Sequence, residues 1–97
     1  MKHCILVKFV ENVEESKKKE LIPVIKELFN HTKEIEGVHF IEVIENCVDR
    51  SNRYDLLIRM DMEKDALEEY DACKWHKMWK DEYGDLLEKK AIFDYEE

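Results

Sequence analysis

Apolar side chains stand on both faces of the first strand-like run of this chain, and a chain of 97 residues has too few helices to cover both. Residues 3–10 read HCILVKFV, so in an extended strand Ile5, Val7 and Phe9 point one way and Cys4, Leu6 and Val10 the other. A strand that is apolar on both sides belongs in the middle of a sheet. The polar pair Glu11 and Asn12 ends it.

The period then changes. Leu21, Ile22, Ile25, Leu28, Phe29, Thr32 and Ile35 fall at helical spacings, and Asn12 with Glu15 has the form of a capping box, so a long amphipathic helix is expected from Val13 onward. Pro23 lies inside it and predicts a kink or a two-piece helix, and Gly37 offers the exit. Residues 38–45 (VHFIEVIE) and 54–62 (YDLLIRMDM) read as a second and a third strand around a polar turn at 49–53. Ala66, Leu67 and Tyr70 share one helical face within residues 63–71, and Trp75, Met78 and Trp79 share another within 74–83, which fits two short helices with Gly84 ending the second. Residues 90–96 (KAIFDYE) close the chain as a fourth strand.

The resulting order is β-α-β followed by β-α-α-β, an α+β sandwich of the ferredoxin-like kind with a four-stranded antiparallel sheet, in a single domain over residues 1–97. Helices cover one face of that sheet. Ile41 and Val43 nevertheless oppose Phe40 and Ile44, and Leu57 opposes Leu56, Ile58 and Met60, so the other face is apolar too. A second copy laid against it by two-fold symmetry would bury both and enclose a barrel, which predicts a homodimer through the sheet face. The alternative is a monomer with a wet, partly apolar sheet.

Charge and cysteine content narrow the function. The chain has 16 Lys and Arg against 24 Asp and Glu, a formal charge of −8, which disfavours nucleic acid and anionic lipid as partners. Cys4, Cys47 and Cys73 form no C-x-x-C pair and are odd in number, which reads as reduced thiols in a cytoplasmic protein. The apolar run 4–7 is too brief for a signal-peptide core or a membrane span. His3, His31, His39 and His76 show no metal-ligand spacing, so no metal is expected, and with only Gly37 and Gly84 there is no phosphate-binding loop; no cofactor is predicted. Lys17, Lys18 and Lys19 are flanked by acids and read as a solvated helix face, and the Trp75–Trp79 stripe reads as core or dimer contact.

The opening KHCILVKF, the GV before the second strand, the RYDLLIRM strand, the EEY helix followed by a histidine, and the closing IFDYE together resemble the stress-responsive dimeric α/β-barrel proteins, often called Dabb domains. The resemblance spans the whole chain and implies a dimeric α+β barrel. One plant branch of that family cyclises polyketides, and the sequence is similar to it at His3, Tyr70 and His76; the resemblance implies that Tyr70 and His76 would carry the chemistry. The sequence departs from that branch at Asp55, where a strand histidine stands in the cyclases. It departs again at Cys73-Lys74-Trp75-His76, which lacks the first histidine and the proline of a His-Pro-x-His segment.

Two functions follow as expectations. The first is a noncatalytic or undefined small dimeric domain that acts in stress tolerance, as the resemblance implies, or in binding a small apolar or aromatic ligand in a pocket lined by His3, Ile5, Val7, Phe9 and Asp55. The second is a cofactor-free enzyme, such as a cyclase, isomerase or monooxygenase-like protein, in which His76 takes a proton beside a carbonyl and Tyr70 hydrogen-bonds the oxyanion. On a continuous helix, however, six residues turn through about 600° and separate those side chains. The pair therefore needs a helix break between them; otherwise Tyr70 is an ordinary core residue and His76 an ordinary helix start.

Overall fold

The computed structural model describes Met1–Glu97, and its four strands form where branched and aromatic residues are densest. They are β1 (Lys2–Phe9), β2 (Val38–Glu45), β3 (Leu56–Met62) and β4 (Leu87–Tyr95). All pairings are antiparallel, in the order β2-β3-β1-β4, so β1 is central as its two apolar faces require. The expected segments shift by one to three residues at their ends: β1 starts a residue early, β3 starts at Leu56 rather than Tyr54, and β4 starts at Leu87 rather than Lys90.

The register sets which residues meet. Across the helix-covered face run the rows Ile41, Met60, His3, Asp94 and Val43, Ile58, Ile5, Ile92, followed by Glu45, Leu56, Val7, Lys90. Val7, Ile58 and Met60 are fully buried in them. A register shift between Val38 and Phe40 lets Val38 and Ile41, three apart, both face the core.

Helix α1 (Glu15–Asn30) packs on this face through Leu21, Ile25, Leu28 and Phe29. It runs unbroken through Pro23, so the expected split does not occur. Pro23 and Lys19, the residue whose carbonyl loses its donor, are both exposed, and water can satisfy that oxygen. The Asn12–Glu15 capping box does not form either: Glu14 occupies the cap position without a side-chain bond, and the chain enters through a turn in which the Val13 N–H donates to the Val10 carbonyl at 3.0 Å. After α1 a 3-10 turn at His31–Glu34 leads to Gly37, whose φ of +95° no branched residue would adopt without strain.

After β3, a 3-10 turn at Lys64–Ala66 leads into α2 (Leu67–Ala72), and α3 (Lys74–Tyr83) follows after one extended residue, Cys73. Trp79 packs edge-on to Phe29 at 5.1 Å between ring centres and against Tyr83 at 5.6 Å, which makes it core. Its stripe partner Trp75 instead stacks on His31 near the surface. Lys17 and Lys19 are exposed, whereas Lys18 turns inward to Asp55.

No helix lies on the opposite face of the sheet. Phe93 is 66% exposed there, with Phe40 and Ile44 also exposed and a Lys2–Asp61 ion pair of 2.6 Å at one end. No helix of the chain is long and apolar enough to cross a membrane.

Candidate functional site

Strand alternation points His3 inward at the start of β1, where register sets it beside Asp94 of the edge strand β4. Its Nδ1 is hydrogen-bonded to the Asp94 carboxylate, and the ring is almost completely buried. Helix α2 then lays Tyr70 edge-on against His3, ring centres 5.5 Å apart. Helix α3 brings His76 to the other side of Tyr70 at 4.9 Å.

Those last two rings meet because the helix breaks between them. Cys73 is extended, with φ −76° and ψ 159°, and its Sγ accepts the His76 N–H at 3.4 Å as the cap of α3. The break also frees the Asp71 carbonyl at the end of α2, which His76 Nδ1 meets at 3.0 Å. A carbonyl only accepts, so Nδ1 carries the hydrogen and Nε2 keeps its lone pair when the ring is neutral. Burial holds the His76 pKa below its ordinary value, with the Lys80 and Lys90 charges adding to that and Asp71 opposing it.

The Tyr70 hydroxyl is different from every other buried side-chain polar atom of the chain: it has no hydrogen-bond partner. Burial raises its pKa strongly, and Cys73 and Asp71 push the same way, so it is a neutral donor at any physiological pH. His3, Tyr70 and His76 line a cavity of about 450 Å³ between the sheet and α2–α3, together with Ile5, Trp79 and Ile92. It is large enough for a small organic molecule.

The other residues expected in a pocket lie elsewhere. Val7 is completely buried in the core, and Phe9 and Asp55 border a separate, polar cavity of about 150 Å³ beside Lys18 and the 45–55 loop. Asp55 is occupied there: one carboxylate oxygen accepts the Phe9 N–H at 2.8 Å and the other the Lys18 ammonium at 3.2 Å. His3, Ile5, Val7, Phe9 and Asp55 thus do not share one pocket: His3 and Ile5 line the first cavity, Phe9 and Asp55 the second, and Val7 neither, because six strand residues span about 20 Å and packed core fills the space between.

Seven lining residues lie outside the expected site set: the apolar Leu67, Trp79 and Ile92 and the charged Asp71, Lys80, Lys90 and Asp94. Signals for some of them existed. Lys90, Ile92 and Asp94 alternate along the last strand, and Lys80 lies four residues after His76 on one helix face. His31 and His39 are outside the cavity, the latter 3.2 Å from Glu63. No group of three or more His, Cys, Asp or Glu side chains is placed to hold a metal ion.

A family model described as the stress responsive A/B barrel domain matches residues 1–97. No curated protein matches the chain by sequence. Among solved structures, a dimeric protein of unknown function with a ferredoxin-like fold from Bacteroides fragilis is 22% identical with a TM-score of 0.80, the match covering 98% of this chain and 93% of that one. The protein At3g17210 from Arabidopsis thaliana is 26% identical, with a TM-score of 0.76 and coverage of 99% and 93%. A hydroxynitrile lyase from Passiflora edulis is 10% identical, with a TM-score of 0.73 and coverage of 97% and 89%, a likeness of fold alone.

Proposed function

The chain belongs to the stress responsive A/B barrel domain family, and on that premise we propose that it is a homodimer that binds a small, partly apolar carbonyl compound between its sheet and α2–α3. The Tyr70 hydroxyl carries this reading. Leaving a buried hydroxyl without a partner costs on the order of 1–3 kcal/mol, so a ligand oxygen that accepts from it recovers that cost on binding. Ile5, Trp79 and Ile92 supply apolar surface for the rest of the molecule. Two observations support the homodimer: the B. fragilis neighbour, of the same fold, is dimeric, and a second copy on the bare sheet face would shield Phe93, Phe40 and Ile44.

Titration with acetophenone followed by amide NMR tests it. Shifts should centre on Tyr70, His76 and Trp79, and Tyr70→Phe should weaken binding by about fivefold, the value of one hydrogen bond. Unchanged affinity in that variant would remove the reading's support. Light scattering of the wild type and of Phe93→Lys tests the assembly, with a dimer expected to give way to a monomer.

His76 favours a second reading, cofactor-free proton transfer. Its neutral ring offers the Nε2 lone pair next to the Tyr70 donor. Nε2 would take a proton from the carbon beside the carbonyl as the C–H electron pair moves into an enolate, whose oxygen accepts from Tyr70. Deuterium uptake at that carbon should be accelerated by the wild type and fall to background in His76→Gln; equal uptake in both would refute catalysis while leaving binding intact.

A further inference from the structure

The same cavity has a cationic wall. Lys80 lies one helical turn beyond His76 on α3, and Lys90 is two positions before Ile92 on β4, on the helix-covered face of the sheet; both line the cavity, one from each element. Neither ammonium lies within ion-pair distance of a carboxylate, although the chain carries 24 acidic residues against 16 basic ones. Of the two carboxylates that share the cavity, Asp94 is engaged by His3, and Asp71 stands at the end of α2 without an ion-pair partner. Both lysine charges also help to lower the His76 pKa, in keeping with their place in the lining of the same cavity.

We propose that the ligand is a small keto acid: its carbonyl meets Tyr70 and His76, its apolar body lies on Ile5, Trp79 and Ile92, and its carboxylate is held by Lys80 and Lys90. This rests on the carbonyl-binding reading of the cavity and adds the charge of the ligand to it. A carboxylate held by both ammonium groups gains from two positive charges at once. Both lysines are exposed, so the selection is modest and falls as salt screens it.

The probes are phenylpyruvate and its neutral methyl ester, measured by calorimetry at low salt on the wild type and on Lys80→Gln/Lys90→Gln. The acid should bind about tenfold tighter than the ester, and the double variant should bring the two within about twofold while leaving the ester's affinity unchanged, which also reports an intact fold. Acid and ester binding equally to the wild type, or a preference that survives in the double variant, overturns the keto-acid assignment and leaves the carbonyl site standing. Failure of both probes to bind overturns the two together. Competition distinguishes the anion: acetate displacing phenylpyruvate at least as well as inorganic phosphate supports a carboxylate, and stronger displacement by phosphate overturns it.

Discussion

The two ends of β1 present buried polar chemistry in opposite states. At the Phe9 end the Asp55 carboxylate is saturated by a backbone N–H and the Lys18 ammonium. At the His3 end the Tyr70 hydroxyl is more deeply buried and meets nothing. A saturated buried group holds a fold together, whereas an orphaned one weakens the free protein and is tolerated where something else completes it. Position in a cavity is therefore less informative than satisfaction: both residues border cavities, and only Tyr70 has a polar atom without a partner.

Removing each group should move stability in opposite directions. The largest effect is expected from Asp55→Ala, which leaves the half-buried Phe9 N–H and Lys18 without their acceptor and should cost about 1–3 kcal/mol in urea unfolding. No loss would erase the contrast. Tyr70→Phe deletes a hydroxyl that makes no bond in the free protein, so it should raise stability by about 1 kcal/mol while weakening ligand binding, the pattern expected where function is set against stability.

Titration sharpens the same contrast at the Tyr70 end. Burial raises the Tyr70 pKa above its ordinary 10.0, so above that pH the unfolded chain sheds a proton that the folded chain keeps, and stability falls as pH rises. The slope should be shallower in Tyr70→Phe. The smallest effect concerns His76, whose folded pKa is lowered: its contribution is present above the ordinary 6.5 and is lost as pH falls from there through the folded value. His76→Gln should flatten stability across that interval in parallel thermal melts.

Much of the architecture was legible because strand and helix periods are local. The second strand and α3 occupy the expected residues, and the break before α3 followed from the change of apolar face between Tyr70 and Trp75, without any Pro or Gly to mark it. The capping box failed because a motif names two residues and not the direction of entry; the turn at Val10–Val13 decides that, by burying Val13. Pro23 did not split the helix because the carbonyl it leaves without a donor belongs to the exposed Lys19, where water can meet it. The cavity was half legible: Tyr70, His76, His3 and Ile5 line it, but Val7, Phe9 and Asp55 do not, and its charged residues Asp71, Asp94, Lys80 and Lys90 come together only in the fold.

Alternation and helical spacing, properties of neighbours along the chain, suffice to set the strands, the helices and the central place of β1. Which polar side chains share a compartment depended on antiparallel register and on the angle opened at Cys73, which join residues as distant as His3 and Asp94. Those contacts are settled by packing between remote segments, and no local pattern encodes whether a buried hydroxyl will find a partner there.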